Sequence, residues 1–298
     1  MSALLLWTLL FAPVPELGSD LICCGGDEVF ILSKDERSLR YDKRKWSWRA
    51  ADSPRIPEES QKWFRSTDDC KPLPESILIT SSSGGVAIVR SSDKACLFLA
   101  NVKNAHSACL LPNYRMVVAS SSGGDELVVF QLGDLPSKST DILTEAKPVA
   151  TLPLPGAHAT VWDQKRGRLW ALGNDDLLLV EVRDANGALK LKIEKQWKLP
   201  SSGGHDLSAM KDSSKLYVTS NTNVFQFDKT SGKFALDDAV GSDKKVKSIT
   251  QHPRTGEVIY HRGTSEHWWS DTIRFVGGRE DVQLTGQRLY KVRWAIQR

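Results

Sequence analysis

The chain has 298 residues, 40% of them hydrophobic, enough apolar surface for a packed core, and this excludes wholesale disorder. Lys and Arg number 40 against 36 Asp and Glu, a balance of +4 that by itself implies no polyanion partner. Five cysteines, odd in number and with only Cys23 and Cys24 adjacent, lack the paired spacing of a zinc ribbon or a disulfide scaffold.

Residues 3–14 (ALLLWTLLFAPV) carry no charge and Gly18-Ser19 follows, so residues 1–19 resemble a secretory signal peptide and predict a periplasmic or secreted protein. No Lys or Arg precedes the apolar run; a mistaken start codon or an intrinsic first strand is the alternative. The run is too short to span a membrane and no later stretch reaches ~18 apolar residues, so no membrane span is expected. Cys23 follows Asp20-Leu21-Ile22 rather than small residues, which argues against a lipid anchor.

From residue 21 onward one pattern recurs. Leu21-Ile22-Cys23-Cys24-Gly25-Gly26 before Glu28-Val29-Phe30-Ile31-Leu32 is matched by units beginning at Leu78, Val117, Leu169, Leu216 and Val258. Each unit is an apolar strand, a turn of mostly small polar residues and a second strand, the signature of a β-hairpin. Asp27, Glu126 and Asp176 fall in or beside these turns, which are expected to join the first two strands of each unit. Intervals of 39 to 57 residues leave room for four strands per unit, the length of a propeller blade. Trp-bearing segments 45–48, 196–199 and 293–296 are read as outer strands, and 50–73 as a loop between the first two blades. The expected fold is therefore all-β, a single six-bladed propeller over residues 20–298 of four-stranded antiparallel blades. A seventh blade would require 34–70 or 134–157 to form a further unit. Helix-period stretches are absent, which disfavours βαβ folds.

A second signal rides on the repeat. His106, His158 and His205 each stand eleven residues before the hairpin that follows, at 117, 169 and 216, and Lys247 stands eleven before 258. Lys71 is the candidate for the same place in the second blade. Equal offsets put these side chains in a ring at one mouth of the central channel.

The segments Ala105-His106-Ser107-Ala108, Gly156-Ala157-His158 with Val161-Trp162-Asp163, and Gly203-Gly204-His205-Asp206-Leu207 resemble a family of exported bacterial β-propeller proteins of uncharacterised function. The resemblance covers residues 20–298 and implies a fold and a motif set without an activity. The Gly-x-His loops are also similar to WD40 repeats, but the Trp-Asp pair that closes a WD40 third strand is missing from every unit.

Three uses of the ring stand open. The histidines lock neighbouring blades by hydrogen bonds; or His106, His158, His205 and Lys247 converge on a carboxylate, phosphate or uronate ligand; or the three imidazoles hold Zn or Mn. The stretch Arg37 to Arg49, basic and interleaved with Trp46 and Trp48, reads as the solvated face of an outer strand rather than a nucleic-acid surface. His267-Trp268-Trp269 lies in a long turn of the last blade, where paired aromatics suit a sugar-stacking platform or a plug closing the ring. Asp68 and Asp69 are adjacent, so regular strand alternation would aim them oppositely, and no glycosidase pair or Gly-x-Ser-x-Gly elbow is visible. The cysteines read as buried small residues, with a bridge open to them if the chain is exported. The expected function is ligand binding by a monomeric exported propeller, without a cofactor, for carbohydrate or a small anion. The alternatives are a metal-dependent polysaccharide lyase or hydrolase and a protein-interaction scaffold.

Overall fold

The computed structural model describes residues 20–33, 39–53, 55–133, 145–185 and 188–296, so the expected signal segment lies outside the described residues. Six four-stranded antiparallel sheets follow one another around a central axis. Blade 2 has the strands Thr67–Leu73, Ser76–Ser81, Gly85–Arg90 and Cys96–Asn101, from the axis outward. Blades 3 to 6 repeat that order, with innermost strands Ala105–Leu111, Ala159–Asp163, Leu207–Ala209 and Val246–Gln251.

The apolar runs that marked the repeat are buried on both faces. In the run from Leu21, Leu21 and Cys23 pack against blade 6 while Ile22 and Cys24 pack against blade 2, the two-residue period of a strand lying between two sheets. The same division makes six apolar clusters, each shared by two adjacent blades. Trp48 and Trp170 are among the largest fully buried side chains, and removing such a side chain costs roughly 3–5 kcal/mol.

Three expectations change. The repeated hairpins join the second and third strands of each blade, because a further innermost strand precedes each of them in blades 2 to 6 and comes from the other end of the described chain in blade 1. That strand faces the channel and carries polar residues such as Asp69, Lys71, Ser107 and Ser248, which blur its apolar signature. Arg293-Trp294 does not lie in an outer strand: Lys291–Trp294 is the innermost strand of blade 1 and pairs with Leu21–Gly25, so the two ends of the chain close the ring. The segment 50–73 is a connection only as far as residue 66, with a short helix at Glu58–Gln61, and its remainder is the innermost strand of blade 2. No seventh sheet forms among the described residues; 46–48 and 150–153 are the outer strands of blades 1 and 3.

All five cysteines are buried free thiols. No helix among the described residues is long and apolar enough to cross a membrane.

Candidate functional site

Three of the innermost strands begin with two consecutive residues opposite a single residue of the neighbouring strand. Asp68 and Asp69 oppose Thr80, His106 and Ser107 oppose Ala119, and Lys247 and Ser248 oppose His261, each at a register shift. A bulge of this kind turns a side chain out of the alternation of the strand. In blades 4, 5 and 1 the matching residue stands just before the innermost strand: His158, His205 or Tyr290, whose backbone N–H donates to Leu172, Thr219 or Cys24. Together the three bulges and the three strand entries set Tyr290, Asp68, His106, His158, His205 and Lys247 at one level of the channel.

Contacts run around this circle. His106 Nδ1 lies 3.2 Å from Asp68 Oδ1, and the His106 and His158 rings stack at 4.2 Å. His158 and His205 meet edge to face at 5.1 Å, and His205 Nε2 is 2.8 Å from Lys247 Nζ. Lys247 Nζ lies 5.9 Å from the Tyr290 ring centroid, and Tyr290 Oη is 3.5 Å from His106 Nδ1. The sequence offset thus brings His106, His158, His205 and Lys247 together. It misplaces Lys71, which stands three residues beyond Asp68 and deeper in the channel, where it donates to Ser107 Oγ and the Thr160 carbonyl. The ring position of blade 2 belongs to Asp68, and the bulge explains why two adjacent aspartates both face the axis.

The ring is not internally satisfied. His158 Nδ1 donates to the Gly156 carbonyl at 2.8 Å, which leaves its Nε2 as a lone pair. His205 Nε2 accepts from Lys247, so its proton stands on Nδ1, a buried atom without a hydrogen-bond partner. Asn221, 2.8 Å from the same Nε2, complements it once its NH2 group faces the ring. Lys247 is 6% exposed and makes one hydrogen bond, to His205; among the described residues no carboxylate lies within ion-pair distance. Burial, then neighbouring positive charge, holds His106 and His205 well below the usual histidine range, and burial lowers His158 to about 4. Burial brings Lys247 down to about 8 and raises Asp68 to about 7. At neutral pH the ring therefore holds three neutral imidazoles beside one cation and an Asp68 carboxyl near its midpoint.

Directly beneath, the charges are all paired. Arg293 donates to Asp69 in blade 2 at 2.7 Å and to Asp206 in blade 5 at 2.7 Å, so its guanidinium crosses the axis between opposite blades. Lys291 donates to Asp206 at 3.0 Å. The surrounding cations depress the Asp69 and Asp206 carboxyls despite their burial. This layer closes the channel below the ring, and above it His158 and His205 are partly exposed.

On that side lies the loop 263–271. Trp269 is stacked on His267 at 4.5 Å and under the Arg288 guanidinium at 5.1 Å, whereas Trp268 is 62% exposed. The two tryptophans therefore differ in what they can offer a ligand: Trp269 is engaged and Trp268 is free. The basic stretch is met by acids, with Lys45 on Asp20, Arg40 on Asp42, and Arg44 and Arg49 on Glu28. No three His, Cys, Asp or Glu side chains are gathered as a metal would need among the described residues, and the Lys247 ammonium occupies His205 Nε2.

The sequence reading missed Asp68 and Tyr290. Asp68 is displaced by one position because its connection to the next strand is a tight two-residue turn, Pro74-Glu75. Tyr290 has no hairpin after it, since its blade is completed from the other end of the chain.

The fold and the ring define a β-propeller with a circle of polar side chains at one mouth of its channel. Residues 29–298 match the model of a family of unknown function, DUF6528, and the chain belongs to that family. Among curated proteins none matches the sequence. Of solved structures, a chain in a nidogen/laminin complex is 11% identical with a TM-score of 0.62, over 93% of this chain and 98% of that one. The WD40 domain of Neurospora crassa Pan2 is 11% identical with a TM-score of 0.54, over 86% and 71%. A functionally unknown protein of Desulfotomaculum acetoxidans is 10% identical with a TM-score of 0.56, over 86% and 74%. At such identities these likenesses carry the fold alone.

Proposed function

We propose that this chain is a non-catalytic binding propeller whose recess at the channel mouth takes a small carboxylate-bearing ligand, a uronate sugar fitting best. The observation that carries this reading is Lys247, a buried cation whose one hydrogen bond leaves further N–H donors directed at no protein carboxylate. Neutral imidazoles beside it offer both lone pairs and donors, which suits hydroxyl groups flanking a carboxylate. The paired layer beneath supports rigidity of the site, since its groups are held from opposite blades.

The test is calorimetric titration of the intact chain with glucuronate and with glucose. Binding of glucuronate alone, weakened at least tenfold in Lys247→Met, is the expected result. Equal affinity for the two sugars, or an unchanged affinity in the variant, would overturn the reading. Elemental analysis addresses the metal alternative: stoichiometric Zn or Mn that disappears in His158→Ala would replace the anion site with a metal centre.

A further inference from the structure

The neighbourhood of Lys247 extends beyond the recess. Lys247 is two residues after Lys245, whose carbonyl accepts from the Gly263 N–H, so the foot of the loop 263–271 stands about 7 Å along the strand from Lys247. The loop folds back tightly on that foot: a Cβ on Gly263 would lie 2.5 Å from the His267 carbonyl oxygen and 3.0 Å from Trp268 Cα. The far end is fixed too, because Ser270 and Leu289 exchange backbone hydrogen bonds, one residue before the ring member Tyr290. Lys245 Nζ donates to the carbonyls of Thr264 and Ser265 and holds the near side. Trp268 is thus an exposed aromatic ring carried on a loop tied at both ends to strands that supply the ring of polar groups. At the foot of the loop is a depression of about 380 Å³ lined by Lys244, Arg262, Ser265 and Asp271, among others, with Trp268 and Lys247 outside its lining. Lys244 is exposed there and has no ion-pair partner among the described residues.

From this we infer that the site continues past the recess, and that its ligand is an acidic oligosaccharide. One uronate enters the mouth at Lys247, and the following sugar crosses the foot of the loop to lie against the exposed face of Trp268, beside the depression. This rests on the uronate reading of the mouth. A pyranose presents an apolar face that an exposed indole can cover, while its hydroxyls and carboxylate remain for polar groups at the rim. Trp269 cannot play that part, being engaged by His267 and Arg288. Lys244 stands where the carboxylate of a second uronate would fall.

The experiment compares galacturonate with its linear trimer and with the neutral trisaccharide maltotriose, on the intact chain and on Trp268→Ala and Lys247→Met. The trimer should bind at least tenfold more tightly than the monomer, and Trp268→Ala should abolish most of that gain while leaving monomer affinity unchanged within twofold. Maltotriose should bind at least tenfold more weakly than the trimer. A trimer that binds no better than the monomer, or a gain that survives in Trp268→Ala, overturns the extended site and leaves the recess intact. Loss of both ligands in Lys247→Met with the trimer-to-monomer ratio altered in Trp268→Ala supports both; absence of any binding by galacturonate and trimer to the unaltered chain overturns both. A circular dichroism spectrum unchanged in Trp268→Ala shows that the effect is local.

Discussion

Two levels of the same channel, a few ångströms apart along the inner strands, obey opposite rules. In the lower level Arg293 and Lys291 meet Asp69 and Asp206 in a closed set of ion pairs. In the upper level, among the described residues, Lys247 has no counter-ion within ion-pair distance and His205 Nδ1 no hydrogen-bond partner, while Asp68 is displaced toward neutrality. Asp68, His106, Lys247 and Tyr290 are as buried as the lower level while His158 and His205 are partly exposed, so burial alone does not separate the levels. What separates them is completeness: a buried polar group that finds its partner inside the chain serves the fold, and one that does not costs stability unless something outside completes it.

The largest effect that would sharpen this contrast is in the lower level. Arg293→Ala leaves two buried carboxylates facing each other across the axis and should destabilise by about 3–5 kcal/mol in urea denaturation. The quadruple variant Asp69→Asn, Asp206→Asn, Lys291→Met, Arg293→Met removes the buried charges of both signs and should recover most of that loss. Equal losses in the two variants would show that the pairs act through packing rather than charge.

Acid should act mainly through the upper level. His158 and the buried His261 have folded values of about 4, below the ordinary histidine value of 6.5. Between those values the unfolded chain binds more protons, so stability rises as pH rises from about 4 to 6.5. His106 and His205 shift in the same direction. Asp68 opposes them: its value of about 7 stands above the ordinary 3.8, so its share of stability is present at low pH and is lost as pH rises toward 7. Melting temperature should therefore climb between pH 4.5 and 6.5, and Asp68→Asn should make the climb steeper. A flatter curve in that variant would mean that Asp68 is ionised throughout.

The smallest effects separate binding from folding. Lys247→Met removes a buried cation without a counter-ion and should leave the melting temperature unchanged or raised. Trp268→Ala, on an exposed side chain, should change stability by less than about 0.5 kcal/mol. A strong loss of stability in either would assign these residues to the fold.

The hairpin copies beginning at Leu21 and Leu78 illustrate what was legible in the sequence. Their apolar runs lie between two sheets, and burial on both faces imposes a continuous pattern that survives in one dimension. The number of blades and the common level of His106, His158, His205 and Lys247 followed from that repeat, because residues at equal offsets in equal units meet on one axis. Three things depended on the tertiary structure. Asp68 joins Asp69 in facing the channel only because a bulge interrupts the strand, and bulges arise from how two strands register. Tyr290 and Arg293 reach the axis only because the last strand pairs with Leu21–Gly25, a contact between chain ends that leaves no local signal. The division of the channel into a satisfied and an unsatisfied level depends on which blades stand opposite, since Asp69 and Asp206 meet one guanidinium across the ring. Residue type and spacing determine what each position can donate or accept, and closure of the ring decides which of those groups find partners inside the chain.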